Sequence, residues 1–252
     1  MINLIIHGCN GAMGQTVTQL AEADPDFRIA AGIDINTQQK NGYPVYASLA
    51  ECPAEADVLV DFSSARAMDA LLDGLEQKGI PAVLCSTGLS EDQLERINAL
   101  SSRSAVLKSA NMSLGINMLM KVLRSVTPQL AEAGFDMEIV EMHHNRKLDA
   151  PSGTALALAD AMNESVGQAY HYQYDRTQLR QKRDPKEIGI QSLRGGTVVG
   201  DHEVIFAGTD EVITFKHTAY SRAIFAKGAL AAAKFLAGKP AGFYDMMDVI
   251  SD

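Results

Sequence analysis

Short apolar runs separated by amphipathic stretches organise the first half of the chain. Residues 2 to 7 are an apolar run closed by Gly8, and apolar positions at helical spacing (Thr16, Val17, Leu20, Ala21) follow until Asp24-Pro25. That order predicts strand, turn, helix. Arg28 to Ile33 reads as a second strand ending at Asp34, and Val58 to Phe62, Ala82 to Cys85 and Ala105 to Lys108 repeat the theme. Helical stretches from Ala65 to Lys78 and from Asp92 to Ser101 lie between them. Strands alternating with helices predict an α/β fold with a Rossmann-type doubly wound parallel sheet.

The texture changes after residue 113. Ile116 to Leu130 is a strongly amphipathic helix, Phe135 to Met142 a strand, and Thr154 to about Val166 an Ala-rich helix. Three long strand-like runs follow: Ile188 to Leu193, Thr197 to Ala207 and Glu211 to Thr218, with Gly195-Gly196 and Thr209-Asp210 at turn positions. They predict an α+β domain with a mostly antiparallel sheet. Arg222 to Leu236 is a helix ended by Gly238 and Pro240, expected to return to the first domain. The expected division is 1–113 with 222–252 as a dinucleotide-binding domain, and 114–221 as a substrate-binding domain. The charge-dense stretch 176 to 187 reads as a loop facing water.

Composition narrows the function class. With 252 residues, 46% hydrophobic and 21% charged, the chain has the profile of a globular protein of one or two domains. Its start has no basic leader, and the apolar run there is too short for a membrane span, so a cytoplasmic enzyme without a membrane partner is expected. Cys9, Cys52 and Cys85 are widely spaced and form no C-x-x-C pair, which suggests neither a disulfide nor a zinc site; no metal is expected. A net charge of -9 repels a phosphate backbone and argues against nucleic acid. The acid excess falls mainly in the first domain, so the more nearly neutral second region suits a dianionic substrate.

Gly8-Cys9-Asn10-Gly11-Ala12-Met13-Gly14 follows the first strand and opens the first helix, the context that a dinucleotide fingerprint requires. Gly8 and Gly11 permit the tight turn and the close approach to a pyrophosphate, and the helix start offers N–H groups to the anion. Asn10 stands where a second glycine is common, and Asn tolerates unusual backbone angles. Twenty residues beyond Gly14, Asp34 ends a strand where an acid accepts hydrogen bonds from ribose hydroxyls and disfavours a 2′-phosphate. NADH should therefore serve at least as well as NADPH.

The densest chemistry lies between Glu141 and Ala155. His143, His144, Arg146 and Lys147 precede Asp149-Ala150-Pro151-Ser152-Gly153-Thr154, where Asp149 and Ser152 can cap a helix and Pro151 is tolerated in its first turn. Gly153 and Thr154 then present N–H groups to an anion such as a carboxylate, while imidazoles and an amine stand ready to move a proton.

The run Glu141 to Ala155 resembles the E-x-H-H-x-x-K-x-D-A-P-S-G-T-A signature of the 4-hydroxy-tetrahydrodipicolinate reductase (dihydrodipicolinate reductase) family. Further family-like segments are Gly8 to Gly14, Val60 to Ser63, Ser86-Thr87-Gly88, Ser109 to Gly115 and the tail from Lys216 to Val249, so the resemblance covers essentially the whole chain. It implies hydride transfer from NADH or NADPH to a small dicarboxylate in diaminopimelate and lysine biosynthesis. His143 and Lys147 would be the acid/base pair, and His144, Lys147, Gly153 and Thr154 would hold the dicarboxylate. Gly8, Cys9, Asn10, Gly11, Ala12, Met13 and Asp34 would bind the cofactor, with Ser86, Thr87, Gly88, Ser109, Ala110, Asn111 and Met112 on its nicotinamide side. The resemblance also implies a homotetramer built through the second domain's sheet. Many family members carry arginine where Ala12 and Ser64 stand, so strict NADPH use is not implied. Two alternatives share parts of this pattern: another two-domain dehydrogenase, which leaves the His143 to Thr154 cluster unexplained, and a non-catalytic dinucleotide sensor, which needs no proton donor.

Overall fold

The structure, a computed structural model, describes residues 1 to 251 and divides into two compact units: residues 1 to 114 with the chain from Ala223 onward, and Gly115–Arg222. The first unit is built on strands Ile2–His7 (β1), Phe27–Ile33 (β2), Val45–Tyr46 (β3), Val58–Asp61 (β4), Ala82–Leu84 (β5), Ala105–Lys108 (β6) and Gly242–Tyr244 (β12). Their order is β12-β6-β5-β4-β1-β2-β3 and every pairing is parallel. The chain runs outward from β1 in both directions, which puts a topological switch between β1 and β4, where ligands bind such sheets beyond the carboxyl ends of the strands.

Both faces of this sheet are covered, which explains why its strands are continuous apolar runs instead of alternating ones. Leu4, Ile6, Val58 and Val60 pack with Val17 of helix Ala12–Glu22 (α1) and with Ala226, Ala229 and Ala233 of helix Ala223–Leu236 (α6). Ile5 and Leu59 face the other way, onto Leu72 of helix Met68–Lys78 (α2) and Ile97 of helix Glu91–Leu100 (α3). A single 3-10 turn, Ala65–Ala67, leads into α2, so the helical stretch expected from Ala65 is real but starts with a tighter turn. The pieces that periodicity missed are very short: β3, β12 and the four-residue helix Met246–Val249 (α7).

The second unit joins helix Leu114–Glu132 (α4) to strand Asp136–His143 (β7), helix Gly153–Ser165 (α5) and strands His171–Gln173 (β8), Glu187–Arg194 (β9), Gly200–Ala207 (β10) and Val212–Ala219 (β11). Its sheet has the order β11-β10-β7-β9-β8, with β11–β10 and β10–β7 antiparallel and β7–β9 and β9–β8 parallel. It is a mixed sheet, where the sequence suggested a mostly antiparallel one. The chain leaves β7 through α5 before returning as β9, and a helical crossover delivers a parallel neighbour. Gly195-Gly196 is accordingly no hairpin turn, because β9 and β10 flank β7 and the connection crosses its end. There, the Gly195 N–H donates to the His143 carbonyl (2.9 Å) and the His144 N–H to the Val198 carbonyl (2.7 Å). Thr209-Asp210 does close the β10–β11 hairpin, with Asp210 at φ 63°.

The stretch 176–187 is less passive than a solvated loop. Arg183 donates to Glu138 (3.0 Å), Asp136 (2.8 Å) and the Met137 carbonyl (2.8 Å), and Arg176 grips the buried Glu187. These arginines fasten the loop to β7 and β9. Along β7 the residues alternate between partly and fully buried, and the inward positions are Met137, Ile139, Glu141 and His143. Two ionisable side chains thus occupy the face that the strand otherwise gives to the core.

In the first unit, helix α6 touches the segment after β6 without any side chain between: a Cβ on Gly228 would lie 1.6 Å from the Met112 carbonyl oxygen. Gly228→Ala should cost about 3 kcal/mol through overpacking, read as a lower denaturation midpoint; an unchanged midpoint would show that this contact is not rigid.

Candidate active site

At the carboxyl edge of the first sheet, Gly8 follows β1 with φ 78°, and a Cβ there would press to 2.7 Å from the Phe62 carbonyl oxygen. A Cβ on Gly14 would meet the Gly8 carbonyl oxygen at 2.1 Å, so α1 starts hard against the loop. No side chain caps α1, and no acidic residue stands in its first turn. Gly11 and Ala12 are exposed and Met13 is half-buried, leaving the helix start open to an anion. The Cys9 thiol is buried, and burial, with the Asp34 carboxylate, pushes it up to about 11, which makes it an inert core group.

Asp34 and Asn10 are linked. One Asp34 oxygen accepts the Asn10 N–H (2.9 Å) and the other accepts the Asn36 N–H (2.9 Å), which leaves each oxygen a lone pair for a hydroxyl donor. Asn10 is not among the residues with positive φ, so backbone tolerance does not explain it. Instead its side-chain amide donates to the carbonyls of Asn36 (2.6 Å) and Gln38 (2.9 Å), tying the loop after β2 to the glycine turn. Ser86-Thr87-Gly88 follow β5, with Ser86 buried, Thr87 exposed and Gly88 at φ 71°. Ser109 to Met112 follow β6, with Ala110 exposed and Asn111 and Met112 buried. Because the sheet is parallel, these segments share the edge that carries the glycine turn and Asp34.

Sequence reasoning missed the polar groups beneath that edge. His7 and Asp61 form a buried pair (Nδ1 to Oδ1, 2.8 Å), and Ser63 donates its N–H (3.0 Å) and hydroxyl (2.6 Å) to the same Asp61 oxygen. Burial opposes the Asp61 charge, but the bonds from His7 and Ser63 outweigh it and hold the carboxyl below its ordinary range. Lys108 donates to the Ser86 carbonyl (3.1 Å), and its own burial lowers it.

In the second unit the site is organised by Glu141, whose side chain is 0% exposed. Arg194, from the end of β9, donates to both Glu141 oxygens at 2.8 Å in a two-pronged pair, and to the Asp149 carbonyl at 2.6 Å. His143 Nδ1 lies 2.6 Å from Glu141 Oε2, and the Ser152 N–H donates to Oε1 at 3.1 Å. Burial alone would raise this carboxyl; the hydrogen bonds from Arg194 and His143 prevail and bring it down to about 2. Burial acts on His143 in the opposite sense, lowering its imidazole below the ordinary value. The Glu141 carboxylate works against that shift, and Lys147 and Arg194 work with it. His143 is therefore neutral at pH 7, donating Nδ1–H to Glu141.

The remaining sequence-expected residues lie around this pair. His144 follows β7, its Nδ1 buried without a hydrogen-bond partner. Lys147 pairs with Asp149 at 2.8 Å, an interaction that holds the Asp149 carboxyl down. Helix α5 begins at Gly153 with Ser152 as its cap, the Ser152 hydroxyl accepting the Ala155 N–H at 3.1 Å. Pro151 thus lies before the helix, not in its first turn. No acid stands in that turn, and a Cβ on Gly153 would meet nothing within 4 Å, so the helix start opens on space at Gly153. Behind the cap, His202 Nε2 is 3.0 Å from the Ser152 hydroxyl, and its ring packs edge-on against His143 with centroids 5.1 Å apart. Burial and the nearby His143 take His202 down to about 4. Glu141, Arg194 and His202 had no assigned role in the sequence reading. The signal for Glu141 was present in the alternation of β7, which puts an acid on an inward position.

A doubly wound sheet with a glycine-turn anion cradle, joined to a mixed-sheet unit carrying imidazoles and an amine beside a bare helix start, is the architecture of a two-domain dinucleotide-dependent oxidoreductase. Family models described as dihydrodipicolinate reductase, N-terminus, and dihydrodipicolinate reductase, C-terminus, match residues 2–112 and 115–250. The chain is 49% identical over 250 residues to the 4-hydroxy-tetrahydrodipicolinate reductase of Caldanaerobacter subterraneus subsp. tengcongensis, covering 99% of this chain and 98% of that one. It is 44% identical to that of Clostridium novyi, again covering 99% and 98%. Among solved structures, a dipicolinate-bound dihydrodipicolinate reductase from Paenisporosarcina sp. TG-14 shares the fold with TM-score 0.80, 24% identity and 97% coverage of both chains. GenD2 from gentamicin A biosynthesis, solved in complex with NAD, has TM-score 0.61 at 12% identity, covering 95% of this chain and 87% of that one. The chain belongs to the dihydrodipicolinate reductase family, the 4-hydroxy-tetrahydrodipicolinate reductases, which are oxidoreductases of lysine biosynthesis.

The depressed Glu141 carboxyl has a consequence for stability. A group lowered from 4.5 to about 2 on folding contributes stability that is complete above pH 4.5 and is lost as pH falls towards 2. Glu141→Gln should therefore be less stable than the native chain by about 3–5 kcal/mol at pH 7, with a gap that narrows on acidification. Denaturation midpoints of both proteins at pH 7 and near pH 3 test this, and a gap of constant size would contradict the assignment.

Proposed function

We propose that the chain reduces 4-hydroxy-tetrahydrodipicolinate to tetrahydrodipicolinate with NADH or NADPH, using His143 and Lys147 on the proton and the start of α5 on the substrate. The observation that carries this reading is the bond from His143 to the buried Glu141, placed beside a helix start that is capped by Ser152 and free of acids. One substrate carboxylate is received by the Gly153 and Thr154 backbone with His144, and Lys147 exchanges its Asp149 partner for the dianion. On the cofactor side, Gly8, Cys9, Asn10, Gly11, Ala12 and Met13 cradle the pyrophosphate, Asp34 accepts the ribose hydroxyls, and Ser86 to Gly88 with Ser109 to Met112 line the nicotinamide. The bound cofactor supplies a hydride.

The chain's own contribution is charge and proton. Loss of the 4-hydroxyl as water gives a conjugated imine. Adding a hydride to that imine leaves negative charge on the adjoining atoms, which fixed cations and a nearby proton donor stabilise before a proton completes the product. A dianion beside His143 reverses the balance that holds this imidazole neutral, so His143 takes up a proton as the substrate binds and holds it on Nε2 for delivery.

No helix among the described residues is long and apolar enough to cross a membrane. We place the enzyme in the cytoplasm, as a homotetramer formed through the second unit's sheet. That sheet has its helices on one face, and the opposite face leaves Val140, Met142 and Ile205 partly exposed. Light scattering tests the assembly.

Supplied with 4-hydroxy-tetrahydrodipicolinate, the protein should oxidise NADH or NADPH, followed by loss of reduced-cofactor absorbance; no oxidation of either would overturn the reading. His143→Gln should lower kcat by about 100-fold or more while leaving cofactor affinity in place. With pH rising, the protonated imidazole is lost first in the free enzyme, where it is depressed, and later in the complex. The alkaline limb of kcat/KM should therefore fall at lower pH than that of kcat, and coincident limbs would count against proton uptake on binding. Asp34→Ala should weaken NADH about tenfold or more and NADPH less; an unchanged ratio would remove the ribose assignment.

A further inference from the structure

Glu141 takes no part as acid or base in the reaction above, yet four donors from two other segments and its own strand converge on it. His143 Nδ1 approaches from two residues along β7, Arg194 supplies two N–H groups from the end of β9, and the Ser152 backbone N–H comes from the cap of α5. An ionised carboxylate offers about four lone-pair sites, and all are taken by donors. With the carboxylate accepting only, the proton on a neutral His143 must sit on Nδ1, which leaves the Nε2 lone pair turned the other way. Opposite Nε2 the strand β10 begins with Gly200, where a Cβ would lie 3.1 Å from that atom. The missing side chain keeps the nitrogen uncovered by β10.

The same carboxylate reaches the anion cradle. Ser152 caps α5 with its hydroxyl while giving its own N–H to Glu141, and Arg194 holds the Asp149 carbonyl ahead of that turn. The charged and titratable neighbours of His143 are Lys147, Arg194, His202 and Glu141 itself, and among them Glu141 is the acceptor bonded to the ring.

We propose that Glu141, clamped by Arg194, is the positioning residue of this site: it fixes His143 in the Nδ1–H tautomer and, through the Ser152 N–H, sets the start of α5 at a constant place relative to that imidazole. The proposal rests on the roles given above to His143 and α5. It follows the logic of an orienting carboxylate behind an acid-base imidazole, where loss of the carboxylate leaves the geometry but releases the tautomer.

The test uses nitrogen-15 imidazole spectra of the full chain at mildly alkaline pH together with steady-state kinetics. In the native protein His143 should carry its hydrogen on Nδ1. Glu141→Gln should show mixed tautomers and lose about 100-fold or more in kcat, with the KM for reduced cofactor unchanged. Arg194→Lys keeps a cation but loses the fork, and should lose about tenfold in kcat; it serves as the second variant if Glu141→Gln does not fold. A native His143 with its hydrogen on Nε2, or a folded Glu141→Gln that turns over at the native rate, would overturn the proposal. A native protein that oxidises neither cofactor would instead sink the reading of the reaction, and the tautomer would still be read from the spectrum.

Discussion

A carboxylate buried where a strand should give a core side chain is the constraint on which the second unit depends. Glu141 occupies an inward position of β7 with no exposure, in line with Met137 and Ile139. An isolated charge there would cost several kcal/mol in lost hydration. The cost is offset because Arg194 meets it with both prongs while His143 and the Ser152 N–H fill the remaining sites. Three features of the candidate site follow from this one arrangement: the orientation of an imidazole, the position of a helix start, and the anchoring of the loop carrying Lys147.

The helix starts in the two units divide by what their first turns contain. Helices α3 and α7 are closed by reciprocal capping boxes and carry acids in the first turn (Glu91 and Asp92; Asp248), which satisfies their own N–H groups and repels an external anion. Helices α1 and α5 have no acid there. Helix α1 has no side-chain cap at all, and α5 is capped by Ser152 on the Ala155 N–H while Gly153 opens on space. Helices α4 and α6 also lack an acid in the first turn; among these acid-free starts, α1 and α5 are the two that the proposed chemistry assigns to a pyrophosphate and a carboxylate.

Much of this was legible in the sequence because it depends on local patterns. The strands of the first sheet other than the short β3 and β12, and the helices between them, follow from apolar runs and helical spacing, and the glycine turn from its place between β1 and α1. What was not legible depends on pairing across the chain. The second sheet is mixed because β9 returns beside β7 after a helix, and three strand-like runs in succession carry no record of that crossover. Asn10 was expected to matter for its backbone, whereas its side chain ties down the loop after β2. Arg194 lies 53 residues from Glu141 in sequence, and His202 lies 50 from Ser152. Neither partner can be found from spacing, although an acid at an inward position of β7 announces that some cation must meet it.

In the free enzyme burial, Lys147 and Arg194 keep His143 neutral, while the buried Glu141 carboxylate orients the ring and leaves it ready to be charged by a dianion. Calorimetric titration with dipicolinate, in buffers of differing ionisation enthalpy at neutral pH, measures the protons exchanged on binding. Net uptake approaching one proton per site is expected in the native protein and none in His143→Gln. Binding of the dianion with no proton uptake would contradict this.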